Sequence, residues 1–510
     1  MSDARSEGPD DHGENRQRLV VVSNRLPLVF QRGGEGQWEA IPSSGGLVSA
    51  LVPVLRNRGG TWLGWPGTTE IGADLEQTLQ SASDKSGYAL CPVHLDQQEI
   101  HDFYNGFSNE IIWPLFHDLQ SLCNFQPRYW RTYCDVNRKF AQAIIDDQKG
   151  AGDFIWVHDY HLMNVAHELR AKGCESRLGF FLHIPFPPVD LFVKLPWRAE
   201  LILALLEFDL LGFQTLRDRR NFVQCARALV RDLKVHGKGQ VITASSGGRE
   251  TRIGAFPIGI DYNFYVREAT APRVAERARE LHQLLPDRSL VLGVDRLDYT
   301  KGVPLRLQAF ETLMHRHPQL RGKLSLIQVI VPSRVDIPSY AELKTTIEQM
   351  VGRINGEYMR PGAWVPVWYV YGSLTRTELL AHYRAADIAL ITPLKDGMNL
   401  VAKEYCAASI EEDCVLILSE FAGSAAQLRR GALLVNPYDI EGVADALLRA
   451  HEMKADERRA RMRRLRRSVR ESDVYRWVDS FMNAAFTRHL DDFPLPAVQV
   501  AGQDEEYLSF

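Results

Sequence analysis

The chain has 510 residues, 45% hydrophobic and 24% charged, an ordinary globular composition that is too long for one core and so predicts at least two domains. Its 60 basic and 64 acidic side chains leave a formal net charge of −4, which argues against nucleic acid or an anionic membrane as main partner but leaves room for a local phosphate pocket. Seven scattered cysteines without a CxxC pair, and no His cluster at metal-ligand spacing, disfavour structural zinc and a disulfide framework and point to a reducing cytoplasm, while no apolar run approaches the roughly 20 residues of a membrane span.

Residues 1–17 lack apolar spacing and any signal-like apolar core, so a disordered tail is expected there, with order beginning at Leu19. The run LVVVSNRLPLVF reads as a buried strand over 19–22 that ends in a Ser-Asn-Arg turn. This puts Arg25 at a strand's carboxyl end, where parallel sheets present their ligands. A loop over 31–41 follows, and Ser43-Ser44-Gly45-Gly46 then precedes a helix-like 47–55. Paired glycines ahead of a helix let backbone approach a ligand and leave N–H groups for phosphate, although the same pair is plain turn chemistry. Aromatics crowd TWLGWPG (61–67) and DFYNGFSNEIIW (102–113), and Tyr104, Phe107 and Trp113 suit the C–H faces and hydroxyls of a sugar. Core packing is the competing reading.

A strand over 154–157 ends in His158-Asp159-Tyr160-His161 and a strand over 178–182 ends in His183-Ile184-Pro185-Phe186-Pro187, so two successive strand ends present His and Asp to one rim. His158 and His161 have no third ligand at plausible spacing, and no metal is expected there. Apolar helical segments surround a strand over 210–213, and the polar patch 243–252 reads as a hairpin or surface loop. A strand over 252–257 leads through Ile258-Gly259-Ile260-Asp261 to a domain boundary.

The second half restarts the alternation, with strands expected over 289–294, 324–331, 365–371, 388–391, 415–418 and 433–435. The first of these ends in DRLDYTKG before a helix over 303–316. Arg296 and Lys301 there can neutralise a diphosphate and the charge developing on a phosphate leaving group; pairing with Asp295 or Asp298 is their structural alternative. The strand over 388–391 runs into TPLKDGMNLVAKE (392–404), which turns through Pro393 and Gly397 into a helix over 399–406. Such a turn offers amide donors to an anion, and Asp396 and Glu404 bracket it as acceptors for hydroxyls, though an ordinary helix start also favours acids. Repeated strand and helix units imply an α/β fold of two doubly wound parallel sheets facing a cleft. The basic run 454–470, with acids nearby and few aromatics, reads as a solvated helix face rather than a nucleic-acid surface. An amphipathic helix over 477–489 is expected to pack back on the first domain, with a tail over 490–510.

Taken in order, VVVSNRLP, SSGGLVSAL, GTWLGWPG, YNGFSNEIIWP, WVHDYHL, FFLHIPFP, DLLGFQT, FPIGID, DRLDYTKG, PSR, GRINGEY, TPLKDGMNLVAKEY, LSEFAGSA and VNPYD resemble the trehalose-6-phosphate synthase family over 18–486. These are retaining glycosyltransferases of family 20 with the two-domain GT-B architecture. The resemblance implies an acceptor-binding Rossmann-like domain over 18–257 and a nucleotide-sugar-binding one over 258–476. It also implies transfer of glucose from a nucleoside diphosphate glucose, typically UDP-glucose, to glucose-6-phosphate with retention of configuration.

Carried over by position, Arg296 and Lys301 would hold the donor diphosphate, Glu404 the ribose, and Asp396 with the backbone of Gly397, Met398 and Asn399 the donor glucose. The backbone of Leu400 and Val401 would assist at the phosphates, and Gly46 would approach the donor from the first domain. His183 would contact the donor sugar, Asp159 and Trp113 the acceptor hydroxyls, and Arg25, Tyr104 and Arg334 the acceptor phosphate. Arg296, Lys301, Asp159 and His183 form the expected catalytic set. No cofactor or metal is implied. The expected partners are small-molecule substrates, with a separate trehalose-6-phosphate phosphatase in the pathway, and whether the chain forms a homo-oligomer is left open.

Two departures stand out: Lys395, where the family often has Arg, keeps the charge but loses the fork, and the longer 31–41 loop bears on acceptor closure or kinetics. The alternatives are a related synthase using glycerol 3-phosphate or a cyclitol phosphate, and a catalytically silent sugar-phosphate sensor. A sensor would be expected to lose the donor-side residues that this chain keeps.

Overall fold

The computed structural model describes residues 18–487, apart from Glu35 and the segments 43–45, 149–151, 286–287, 335–336 and 361–363; the expected tails 1–17 and 490–510 lie outside the described residues. Strands without polar alternation need cover on both faces, and two helix-flanked sheets supply it. The first half lays down β1 (Leu19–Arg25), β2 (Leu28–Arg32), β3 (Trp38–Pro42), β4 (Thr61–Trp65), β5 (Ala89–Pro92) and β6 (Phe154–His158). It continues with β7 (Arg177–Phe181), β8 (Leu210–Phe213), β9 (Lys234–His236), β10 (Val241–Ser246) and β11 (Arg249–Ala255). Nine of these strands join in the order β5-β4-β1-β6-β7-β8-β11-β10-β9.

The sheet is parallel as far as β11, but β10 runs antiparallel, which corrects the expectation of a purely parallel sheet. The cause is the patch 243–252. It folds as the β10–β11 hairpin, and its two-residue turn Gly247-Gly248 takes φ of 58 and 81, the left-handed pair that such a turn requires. The expected loop over 31–41 is likewise corrected to the antiparallel β2–β3 hairpin, with Leu28 opposite Pro42. TWLGW is the buried strand β4 beside β1, so Trp62 belongs to the core, its indole N–H donating to Ser23 Oγ at 2.8 Å.

The second sheet contains β12 (Ser289–Arg296), β13 (Leu324–Val331), β14 (Val367–Tyr371), β15 (Ile388–Ile391), β16 (Val415–Ser419) and β17 (Leu433–Val435). Its order is β14-β13-β12-β15-β16-β17, parallel throughout. Each sheet therefore has a point where the strand order reverses: between β1 and β6 in the first, and between β12 and β15 in the second. Connections leave in opposite directions at such a point, which opens a crevice at the strands' carboxyl ends.

The chain crosses between the sheets at 256–261 and returns at 472–474. Ile258 is held from both sides, its N–H donating to Gln214 Oε1 at 3.0 Å and its carbonyl accepting from Lys403 Nζ at 2.6 Å. Val474 N–H then donates to Ile260 O at 3.1 Å, and a side chain at Gly259 would strike the backbone of Ser472 and Asp473. The helix Val474–Phe486 packs on the first sheet, with Phe481 stacked 4.4 Å from Trp156. Arg252 donates to Ala484 O at 2.7 Å.

Lys403 is fully buried, and burial lowers its pKa to about 7. A lysine whose folded value lies below its unfolded one burdens the folded state at pH below that value, and the burden lifts as pH rises toward the ordinary lysine range. Lys403→Met should therefore stabilise the protein by ~1–3 kcal/mol at pH 6, after the cost of an unpaired Ile258 carbonyl, with a smaller gain at pH 9. Urea unfolding at the two pH values checks this; a variant less stable at pH 6 would show that the bond outweighs the buried charge.

The basic run forms the helix Ala455–Glu471, which buries Met462, Leu465 and Val469. Its arginines meet nearby acids: Arg458 pairs with Asp413 at 2.7 Å and Arg463 with Glu412 at 2.7 Å. Arg466 donates to the carbonyls of Cys406, Ala407 and Ser409, satisfying the carboxyl end of the helix Leu400–Ala408.

Candidate active site

On the first sheet the order-reversal point is flanked by Arg25, the last residue of β1, and Asp159, the residue after β6. Arg25 lies over the Trp65 ring at 4.5 Å and the Tyr104 ring at 5.6 Å. Tyr104 sits in a π-helical segment, Ile100–Ile112, that ends with Trp113 N–H bonded to Ser108 O, five residues back. Such widened turns recur at functional sites, and here the turn brings Tyr104 and Trp113 to the arginine cluster. Asp159 adopts φ of 73, a conformation that aspartate tolerates at some cost. In this pose its Oδ1 accepts from His183 N–H at 3.2 Å, and its own N–H donates to Phe181 O at 2.8 Å. Burial pushes the Asp159 carboxyl up to about 6, opposed by the N–H groups of Tyr160 and His183 and by Arg296 and Arg334. Burial likewise pushes His183 down to about 3, so its ring is neutral; Nε2 lies 3.2 Å from His158 Nδ1.

Arg334 comes from the second half, after β13, and is enclosed. It donates to Tyr340 OH at 2.6 Å, to Tyr160 OH at 3.1 Å and to Asp298 Oδ2 at 3.4 Å, and its guanidinium covers the Trp113 ring at 4.2 Å. Burial raises the Tyr104 phenol, but Arg334, Arg25 and Arg296 outweigh it and leave the phenol below its usual range. Three guanidiniums thus converge on one hydroxyl, an arrangement fit for a phosphate.

On the second sheet the reversal point lies between β12, ending in Arg296, and β15, which runs into TPLKDGMNLVAKE. Asp298 caps the turn Tyr299–Lys301 by accepting from Thr300 N–H at 2.9 Å. Lys301 Nζ meets Asp396 Oδ2 at 2.6 Å, so its partner is neither acid of its own turn: Asp295 pairs with buried Arg306, and Asp298 with Arg334. Arg296 is in no ion pair among the described residues, and its guanidinium lies 6.0 Å from the Trp113 ring. Burial would raise Asp396, but Lys301 overrides it and holds the carboxyl below its usual range.

The helix begins at Leu400, one residue later than expected, because Asn399 at φ 71 is its cap and accepts from Ala402 N–H at 3.1 Å. The first-turn N–H groups, those of Leu400 and Val401, have no intrahelical partner. Met398 is buried among residues of the first half, including Leu19 and Trp62. Glu404 accepts from Tyr383 OH at 2.9 Å; burial raises its carboxyl, opposed by the phenols of Tyr265 and Tyr383. Gly46 is the first residue of the helix Gly46–Arg58, while 43–45 lie outside the described residues.

The two halves meet at this point. Lys395 reaches across to Asp118 at 2.5 Å, so it bridges the halves. His117 is buried beside them, bonded through Nδ1 to Trp113 O at 2.7 Å and pushed down to about 4 by burial. A side chain at Gly397 would strike the carbonyl of His183, and one at Gly423 would strike the carbonyl of Gly397. Gly397→Ala should therefore lower kcat/KM by ~100-fold through a gap between the halves, with little change in melting temperature. Steady-state kinetics with small-angle scattering checks this, and a variant of unchanged kcat/KM would show that the contact is dispensable.

The motifs did not reveal the partners that hold these groups: Tyr160 and Tyr340 for Arg334, and Tyr265 and Tyr383 for Glu404. Of these, only Tyr160 stood in a motif already singled out. Among the described residues there is no group of three His, Cys, Asp or Glu that could hold a metal ion, and no helix long and apolar enough to cross a membrane.

The sequence profile of Glycosyltransferase family 20 matches residues 17–486. The trehalose-6-phosphate synthase of Mycobacterium leprae is 44% identical over 474 residues, covering 91% of this chain and 94% of that protein. Among solved structures, the UDP-forming α,α-trehalose-phosphate synthase of Burkholderia xenovorans in complex with glucose-6-phosphate is 36% identical with a TM-score of 0.82, over 92% of this chain and 100% of that one. The E. coli trehalose-6-phosphate structure bound with UDP-2-fluoro glucose is also 36% identical with a TM-score of 0.82, over 92% of this chain and 99% of that one. With its two facing doubly wound domains of the GT-B type, the chain belongs to glycosyltransferase family 20, among the trehalose-6-phosphate synthases.

Proposed function

We propose that the protein transfers glucose from UDP-glucose to glucose 6-phosphate with retention, forming α,α-trehalose 6-phosphate, with the acceptor on the first domain and the donor on the second. The observation that carries the reading is the contact of Gly397 with the His183 carbonyl. It sets the Asp396 turn against the rim that holds Asp159, next to the guanidinium cluster of Arg25, Arg296 and Arg334. Glucose-6-phosphate in the B. xenovorans structure and UDP-2-fluoro glucose in the E. coli one support the same pair of substrates.

In this reading Arg334, Arg25 and Tyr104 grip the acceptor phosphate. Trp113, whose buried indole N–H has no partner among the described residues, offers a donor to the acceptor. Asp396 and the amides of 397–399 read the transferred glucose, Glu404 reads the ribose, and the amides of Leu400 and Val401 face the phosphates. Gly46 approaches the donor from the first domain.

The two carboxylates nearest the reacting centre are both engaged, Asp159 by the His183 N–H and Asp396 by Lys301. We read both as hydrogen-bonding groups rather than as the nucleophile of a double displacement. The leaving phosphate then takes the proton of the acceptor hydroxyl, which attacks from the face that the phosphate vacates, while Arg296 and Lys301 stabilise the departing charge. His183, neutral at working pH, accepts a sugar hydroxyl rather than supplying a proton.

The test is to incubate the protein with UDP-, ADP- and GDP-glucose against glucose 6-phosphate and glycerol 3-phosphate, with and without EDTA, and to determine product mass and anomeric configuration. An α,α-linked disaccharide phosphate, formed equally in EDTA, is expected. No disaccharide phosphate under any pairing would discard the reading and favour a silent sensor.

A further inference from the structure

The helix Leu216–Leu229 carries two different faces. Asp218 and Asn221 point to the loop that follows β7: Asp218 Oδ1 accepts from Phe186 N–H at 3.1 Å, and Asn221 Nδ2 donates to Phe186 O at 2.8 Å. That loop carries His183, two residues after the end of β7. Residues 216, 219, 220, 223 and 227 fall on the opposite face by helical periodicity. They line a cavity of 340 Å³ closed on its other side by β9, β10 and the turn between them.

Arg217, Arg219, Arg220, Arg227 and Lys238 surround this cavity, and among the described residues no carboxylate lines it. Arg219 is spent on the turn, donating to Gly239 O at 2.5 Å and Gln240 O at 2.8 Å. Arg217, Arg220, Arg227 and Lys238 are exposed and form no ion pair among the described residues, unlike the arginines of the helix Ala455–Glu471, several of which meet an acid. Three of the five cations occupy the first turn and a half of the helix, where its positive pole disfavours them by ~0.3–1 kcal/mol each. Arg219 offsets this through its bonds to the turn and Arg217 through the buried Asp218 carboxyl, whose ionised form it favours; a bound anion would offset the remaining cost of the pole and the mutual repulsion. The cavity is apolar between the cations, with Val223, Val235 and Ile242.

We propose that this cavity binds a small organic phosphate, with its phosphoryl group on Arg217, Arg220 and Arg227 and its organic body on the apolar patch, and that occupancy is transmitted through Asp218 and Asn221 to the His183 loop. The second half of the proposal rests on the glycosyl-transfer reading; the first does not.

AMP is the probe, titrated calorimetrically with UDP and glucose 6-phosphate saturating the cleft, against wild type and an Arg220→Gln/Arg227→Gln double variant. Both arginines are on the surface and outside the cleft. Wild type should bind AMP saturably, and the double variant at least about tenfold more weakly, since each charged hydrogen bond lost weakens binding by that order. Adenosine should not bind, and inorganic phosphate should bind more weakly than AMP. Initial rates at subsaturating glucose 6-phosphate should change with AMP in wild type and stay unchanged in the double variant, whose rate without AMP matches wild type. Absence of saturable binding, equal AMP affinity in the double variant, or inorganic phosphate matching AMP overturns the site. Rates that respond to AMP alike in both proteins, or in neither, overturn the coupling. The calorimetric comparison needs no turnover, so it fails separately from the catalytic reading.

Discussion

Replacing Arg296 with alanine is expected to lower kcat with UDP-glucose and glucose 6-phosphate by about 1,000-fold or more, while leaving the affinity for glucose 6-phosphate within a few-fold. The expectation follows from how the two donor-side cations are occupied. Lys301 is tied to Asp396 at 2.6 Å, so part of its charge is already balanced in the ground state. Arg296 has no ion pair among the described residues and stands at the end of β12, free to meet charge that builds only as the sugar–phosphate bond breaks. An interaction made mainly in the transition state appears in kcat rather than in KM. Acceptor binding is spared because Arg25 and Arg334 remain around Tyr104.

Arg296 also helps hold down the Asp159 carboxyl, which burial pushes up to about 6. Its loss should therefore move the acid limb of the pH–rate profile to higher pH, since a carboxyl deprived of a nearby cation is harder to ionise. Single-turnover rates from pH 5 to 9, with calorimetric titration of glucose 6-phosphate, check both parts. Unchanged turnover would remove Arg296 from the reaction.

Arg334→Ala should act on the other side of the same centre, with two effects that can be separated. The KM for glucose 6-phosphate should rise by about 100-fold, the order expected when charge-assisted bonds to a phosphate are lost. Folding stability should fall by ~3 kcal/mol, because Asp298 is buried and Arg334 is the first of the cations that keep its carboxyl ionised. Arg334→Met, which restores apolar volume, should recover part of the stability and none of the acceptor affinity. A variant that loses stability yet keeps its KM would make Arg334 a scaffold residue, and the phosphate grip would then fall to Arg25 and Tyr104.

Much of the site was legible because strand ends announce themselves. Apolar runs such as those that became β1, β6, β12 and β15 stop where a polar residue must leave the sheet, and Arg25, Asp159, Arg296 and Asp396 stand at or just beyond those stops. The segment 100–112 was less legible: its bonds to residues five back have no side-chain signature, and its aromatics fit core and sugar equally. Trp62 and Trp65 show the same limit. Three residues apart on one strand, one is sealed in the core against Ser23 and the other faces Arg25.

By itself, the sequence determined which chemistry each strand end carries and that the ends belong to two doubly wound units, since hydrophobic runs and turn residues act over a few neighbours. Only the tertiary structure decided that β1 pairs with β6 and β12 with β15, which sets Arg25 beside Asp159 and Arg296 beside the Asp396 turn. It alone decided that Lys301 meets Asp396 across 95 residues of chain, that Arg334 crosses to Tyr160, and that Ile258 is held from both sides. The reason is physical: a buried charge or carbonyl takes whichever partner packing brings within about 3 Å, and that distance is measured through space rather than along the chain.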